Sequence, residues 1–172
     1  MVIITRFQLA RKYSCKFFSV VSEEIIPCPC CQGDLRCIGS RLRGCLDEVG
    51  AKMVLSIRRL RCQGCRKIHH ELPDRLMPYK RYEAKVLELT HVGNLDAAIE
   101  PALSTVSRWR QWFSWFIRYA DRCREALSFR HGLSENVSFS EPLRSRWLAG
   151  TVRMVANSNL WVHTRSAWLS GG

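Results

Sequence analysis

Three cysteines stand within four residues, at Cys28, Cys30 and Cys31 of "CPCC", and a second pair, Cys62 and Cys65, lies in "RCQGCRK". Thiolates bind metal, and C-x2-C is the spacing at which one tight turn offers two sulfurs to a single ion. Matching that spacing on both sides selects Cys28 with Cys31 and Cys62 with Cys65, with thirty residues between the pairs. Four such sulfurs can surround one Zn2+ tetrahedrally. Four protein ligands leave no position for water or substrate, so the expected ion is structural. Cys30 falls outside the pattern. Pro29 fixes φ inside the first turn, and Gly33 is expected to supply its left-handed exit; Gly64 has a similar place in the second turn. His69 also has metal spacing, as Cys65-x3-His69, so a set of three cysteines and one histidine is an alternative. A supporting role behind the ligands, or a plain surface role, is the other reading of His69 and His70. Cys37 and Cys45 are spare thiols. Cys15 and Cys123 have no partner at metal spacing and read as buried or inert.

The cysteine pairs need elements to hold them. "KMVLSIRRLRC" alternates Met53, Leu55 and Ile57 against Val54, Ser56 and Arg58, which is the period of a strand. "DEVGA", with Gly50, supplies a turn before it. The pattern predicts a β-hairpin with a cysteine knuckle at each end, a zinc ribbon, over residues 25–78. A unit of that size buries too little to hold without metal. Its surface is strongly basic: residues 36–67 hold Arg36, Arg41, Arg43, Lys52, Arg58, Arg59, Arg61, Arg66 and Lys67 against Asp47 and Glu48 alone.

The same bias runs through the whole chain, with 27 Lys+Arg against 15 Asp+Glu, a net charge of +12 and a pI near 9.7. A polyanion is the expected partner, with nucleic acid ahead of an acidic membrane surface. The first residues, "MVIITRFQLARKYSCKFFSVV", are basic, and their longest apolar run, "FFSVV", is too short for a secretory leader or a membrane span. Residues 1–24 are therefore expected to form a basic arm. Nine cysteines without a leader point to a reducing compartment and to metal rather than disulfides. The expected location is cytoplasmic, at the nucleoid.

The pattern turns helical from Lys80. Tyr82, Val86 and Leu89 have helical spacing, and Gly93 and Asn94 stop the run. A short helix is expected at "LDAAIE", ended by Pro101. A longer one follows over 104–122, with Ser104 as its N-cap. Val106, Trp109, Phe113, Phe116, Ile117 and Ala120 form its apolar stripe. The aromatics Trp109, Trp112, Phe113, Trp115 and Phe116 read as mostly core, with Trp112 and Trp115 fitting the stripe less well and open to contact with another subunit or a partner. The opposite face carries Ser104, Ser107, Arg108, Gln111, Trp115, Arg118 and Arg122. This succession predicts a helix-turn-helix domain over residues 79–130. Ser104, Thr105 and Ser107 would meet phosphate, and Arg108 and Gln111 would reach base edges. Lys80 and Arg81, with Arg41, Arg43, Arg58, Arg59 and Arg61 of the ribbon, complete the expected contacts to double-stranded DNA. Residues 131–172 read as a C-terminal helix, with Ser140 as cap, Pro142 in its first turn and Leu143, Trp147, Leu148 and Val155 on one side, followed by a tail. The expected fold class is α+β: a small zinc-ribbon β-hairpin with four cysteine ligands, then a mainly α-helical helix-turn-helix domain and a C-terminal helix.

The motifs "CPCCQGDL", "RRLRCQGCRKIHHELPD", "PYKRYE" and "STVSRWRQWF" resemble those of bacterial zinc-ribbon plus helix-turn-helix proteins associated with transposons and other mobile elements. They are also similar to the N-terminal zinc-binding and DNA-binding regions of transposases. The resemblance implies a DNA-binding accessory or targeting factor, with a transposase or recombinase as a protein partner; a homodimer is compatible with it. It does not imply catalysis. A DDE-type nuclease needs an RNase H-like sheet with three separated carboxylates, and no nucleophile–base–orienter set can be read from the chain. The rival expectation is a non-catalytic adaptor whose ribbon and Trp-rich helices dock on a recombinase or on transcription machinery.

Overall fold

The computed structural model describes residues 1–12, 16–93, 101, 103–131 and 147–161. Its elements are β1 (Val2–Ile4), β2 (Phe7–Arg11), β3 (Phe17–Ser22), β4 (Leu35–Leu46), β5 (Lys52–Cys62), β6 (Ile68–Pro73), α1 (Ala84–Val92), α2 (Leu103–His131) and α3 (Trp147–Asn157). The mixed sheet is organised around β5. Along one side β5 pairs antiparallel with β4 over its full length, from Leu46↔Lys52 to Leu35↔Cys62. On the other side it pairs in parallel with β3 near Leu55 and antiparallel with β6 near Leu60. β2 continues the sheet beyond β3 and β1 beyond β6, leaving β4 at an edge.

Strand alternation explains where β5 puts its side chains. Leu55 and Ile57 are buried on one face, while Leu60 and Cys62 are buried on the other. The buried side changes near Arg58–Arg59. At that level β4 carries a bulge, where the register slips by one residue between Cys37 and Gly39. The hairpin turn is the expected one. The Asp47 carboxylate accepts the N–H groups of Val49 at 3.0 Å and Ala51 at 2.8 Å, and Gly50 takes a left-handed φ of 75°.

One apolar cluster joins sheet and helices. Trp109, Trp112, Phe113, Phe116 and Ala120 of α2 meet Ile3, Ile4, Leu55, Leu72, Val86, Leu148 and Val155 in it. Trp112 is 2% exposed and stacks on Phe116, with ring centroids 4.9 Å apart, so it belongs to the core rather than to a partner surface. Trp115 is partly buried and stacks on Tyr119. The end of α3 is tied to β1: Asn157 accepts the Ile3 N–H at 2.8 Å and donates to its carbonyl at 3.0 Å.

The architecture corrects the expected division into a ribbon and a helical domain. The described residues form a six-stranded mixed sheet with three helices. Residues 1–24, expected as a basic arm, supply three strands, and Val2, Ile3 and Ile4 are fully buried. Parallel pairing with distant β6 and β5 recruits them, and no local pattern announces such pairing. The helix-turn-helix layout is not shown. Val86 and Leu87 of α1 are fully buried, and the Glu88 carboxylate accepts the Leu148 N–H at 2.7 Å, at the start of α3. Thus α1 is a core helix fastened to α3 and packed on α2, where His91 stacks on Phe113 with ring centroids 4.4 Å apart. Its stop is as expected, with Gly93 at φ 81° and its N–H on Leu89 O. The "LDAAIE" helix, Ser140, Pro142 and Leu143 lie outside the described residues. α2 begins at Leu103 and extends to His131, so Ser104 sits inside its first turn rather than capping it.

Candidate metal centre and basic hairpin face

The two cysteine knuckles meet at the open end of the β4–β5 hairpin, because Leu35 pairs with Cys62. Each knuckle is closed by its own backbone. In the first, Gln32 N–H reaches Cys28 O at 2.8 Å and Cys28 N–H reaches Gly33 O at 2.9 Å; in the second, Cys62 N–H reaches Lys67 O at 3.0 Å. The turns are alike in one further respect. The residue after the second cysteine of each pair is left-handed, Gln32 at φ 60° and Arg66 at φ 63°. The left-handed exit thus falls one residue before the expected Gly33. Gly33 keeps the backbone close to the sulfurs instead, since a Cβ there would lie 3.4 Å from both Cys31 Sγ and Cys62 Sγ.

Cys28, Cys31, Cys62 and Cys65 place all four sulfurs within 4.8 Å of one another. Cys28 Sγ is 3.6 Å from Cys65 Sγ, and Cys31 Sγ is 3.4 Å from Cys62 Sγ. A tetrahedron with metal–sulfur bonds of about 2.3 Å has edges of about 3.8 Å, so the four sulfurs fit one ion. Their surroundings act unequally on these thiols. The Gly33 N–H, the Cys62 sulfur and the Cys65 N–H hold the Cys31 thiol down to about 6, whereas burial pushes Cys28 up. The remaining thiols differ. Burial pushes Cys45 up to about 11 and raises Cys123, so both are inert packing groups, and Cys37 is exposed on β4. Cys15 lies outside the described residues.

His69 sits beside this set. It is 4% exposed, its Nε2 lies 3.4 Å from Cys28 Sγ and its Nδ1 lies 3.2 Å from the Met1 nitrogen. Burial, reinforced by the Met1 charge, lowers its pKa to about 4, so the imidazole is neutral at pH 7. Cys30 is partly exposed, with Sγ 3.3 Å from Asn159 Oδ1 and 3.7 Å from Lys67 Nζ.

Alternation sorts the hairpin's charges by face. Cys62, Leu60 and its cross-strand partner His69 lie on the metal side. Arg61 and Arg59 point to the other face, opposite Arg36 and His70 respectively. Arg41, paired with Ile57, shares that face. Burial lowers the His70 pKa first, and the charges of Arg41 and Arg59 lower it further, which places these cations around it. Arg36, Arg41 and Arg61 are exposed, and with Arg59 they form no ion pair among the described residues.

The expected contact residues divide accordingly. Arg41, Arg59 and Arg61 share one face. Arg58 points the other way and makes two 2.6 Å bonds to Glu71. Arg43 is half-buried and donates to the carbonyls of Met77 at 3.3 Å and Lys80 at 2.9 Å, shaping the loop before α1. Both guanidinium groups are engaged within the chain. Lys80 lies over the Trp112 ring, 4.7 Å from its centroid, and Arg81 is exposed. At the start of α2, Ser104, Ser107, Arg108 and Gln111 are exposed and Thr105 is half-buried. Arg108 turns back to Ser104 O at 3.1 Å. Burial lowers the Lys80 pKa, and the Arg108 charge lowers it further. Arg36 is absent from the expected contacts; the strand register is the signal that adds it. Among the described residues no helix is long and apolar enough to cross a membrane.

Residues 28–109 match a family described as a domain of unknown function, DUF6431. The matched segment starts on the first cysteine of the metal set and takes in both knuckles, the hairpin, α1 and the first turns of α2. No curated protein and no solved structure matches the chain.

Proposed function

We propose that the chain is a non-enzymatic DNA-binding protein in which Zn2+, held by Cys28, Cys31, Cys62 and Cys65, fixes the base of a basic β-hairpin that contacts the phosphates of duplex DNA. The observation that carries this reading is the two-faced strand end. Cys62 faces the four-sulfur set, while Arg61, Arg59, Arg36 and Arg41 gather on the opposite face without acidic partners among the described residues. Thiolate ligands select zinc over harder ions, and four of them close the coordination shell. The ion then supplies folding energy and rigidity, and the arginines supply counterion-releasing contacts to phosphate. The resemblance of the quoted motifs to mobile-element proteins supports a role as an accessory or targeting factor in that setting. Docking on a recombinase through Trp112 is disfavoured by the burial of that ring.

The test is duplex binding before and after removal of zinc by a chelator. Binding should be lost with the metal and return when Zn2+ is restored. Undiminished binding by the zinc-free chain would refute the reading.

A further inference from the structure

Cys30 is the cysteine that the four-sulfur set leaves over, yet it is not isolated. Cys28, Cys30 and His69 bring their ligand atoms within 4.8 Å of one another. The Cys28 Sγ–His69 Nε2 separation of 3.4 Å is close to the span of about 3.6 Å expected for a sulfur and an imidazole nitrogen on one tetrahedral zinc. His69 is buried and its ring is held on the Nδ1 side by the Met1 nitrogen, so Nε2 is already aimed at Cys28. Cys30 sits at the solvent edge, and Asn159 Oδ1 lies 3.3 Å from its sulfur. That separation is the spacing of two neighbouring ligands on one ion.

We infer that Cys28, Cys30 and His69 form a second, exchangeable site for a zinc-class divalent ion, sharing the Cys28 thiolate as a bridge with the four-thiolate centre. The inference rests on that centre. A thiolate has lone pairs enough to bridge two ions, and borderline-soft ions accept sulfur and imidazole together. The electrostatics are favourable as well. Four thiolates around one divalent cation carry a net charge of −2, which a second cation beside Cys28 partly neutralises. On binding, Cys30 gives its thiol proton to solvent and the Met1 ammonium gives up one as well, so that His69 carries its own proton on Nδ1, donated to the Met1 amine, and offers the Nε2 lone pair to the ion. Lys67 Nζ, 3.7 Å from Cys30 Sγ, must swing away, which an exposed lysine does at little cost. Two sulfurs and one nitrogen, with the last position open to water or Asn159, hold an ion less tightly than four thiolates do. The second ion is therefore expected to exchange with the medium, while the first does not.

The experiment uses the full chain with cadmium-113 in place of zinc, followed by NMR, beside elemental analysis of zinc after equilibrium dialysis. Wild type should hold two equivalents at micromolar free zinc and keep one after a mild chelator. The cadmium resonance of the first ion should shift when the second binds, because Cys28 is shared. Cys30→Ala, a change at a partly exposed position, should abolish the second equivalent and leave the first intact; His69→Gln should do the same. One tight equivalent and no more in wild type would overturn this inference while leaving the four-thiolate centre standing. So would a second equivalent that survives Cys30→Ala or leaves the first resonance unmoved. No tight equivalent in wild type would overturn both.

Discussion

The knuckle end of the hairpin and the aromatic core around α2 are stabilised by opposite means. At the knuckles, side chains are small or exposed, and order comes from four sulfurs brought together by two backbone-closed turns. Around α2, order comes from rings: Trp112, Phe113 and Phe116 are each 2% exposed or less. The difference decides which surface is free to act. Because the metal end draws little on apolar burial, both hairpin faces need not be covered there, and one can carry unpaired arginines. The helix commits Trp109, Trp112, Phe113 and Phe116 to the core and leaves Arg118 and Arg122, one turn apart, on an exposed ridge.

Loss of the metal should do the greatest damage, and only at one end. Cys62→Ser should bind no tight zinc, and hydrogen exchange should show lost protection across β4, β5 and β6. Structural zinc contributes on the order of 10 kcal/mol or more to a small domain, beyond what this hairpin can replace. Full zinc content in that variant would remove the basis of the contrast. Trp112→Ala acts at the other end. Deleting a buried ring should cost about 3–5 kcal/mol in urea unfolding, while the zinc content stays at wild-type level. Zinc lost along with the ring would mean the two regions are not independent. The smallest expected effect is at the first knuckle, where Gln32 holds a left-handed backbone. Gln32→Gly should leave zinc binding unchanged and raise stability by about 0.5–1 kcal/mol, since glycine removes a Cβ clash worth about 1–2 kcal/mol but loses some of it to chain entropy. A destabilised Gln32→Gly protein would mean that the left-handed turn carries no strain.

The same division governs what could be read from the sequence. C-x2-C spacing is local chemistry, so the clustering of Cys28, Cys31, Cys62 and Cys65 was legible from those residues alone. The alternation in "SIRRLRC" was equally local. The placing of Arg36 beside Arg61 was not legible, because the bulge after Cys37 shifts the register that sets the two opposite each other. Nor was the buried, inward-facing role of Val2–Ile4, which depends on parallel pairing with a strand some seventy residues on. In α2 the apolar stripe was legible, but Trp112 falls outside its expected arc. Three aromatic residues within one turn and a half widen the buried arc beyond a narrow stripe. The helix-turn-helix reading failed for a related reason. Helix lengths and stops are local, whereas the attachment of α1 to α3 through Glu88 and Leu148 N–H is not.

The central claim is that the face opposite the metal centre, not the exposed ridge of α2, meets DNA. It is tested most directly by the salt dependence of duplex binding in zinc-loaded protein. Arg36→Ala/Arg61→Ala should lower the slope of log affinity against log salt by roughly 1.8, about 0.9 for each phosphate no longer neutralised. Arg118→Ala/Arg122→Ala, on the exposed side of α2, should leave the slope as it is. An unchanged slope in the hairpin variant, or a fall confined to the helix variant, would contradict the account.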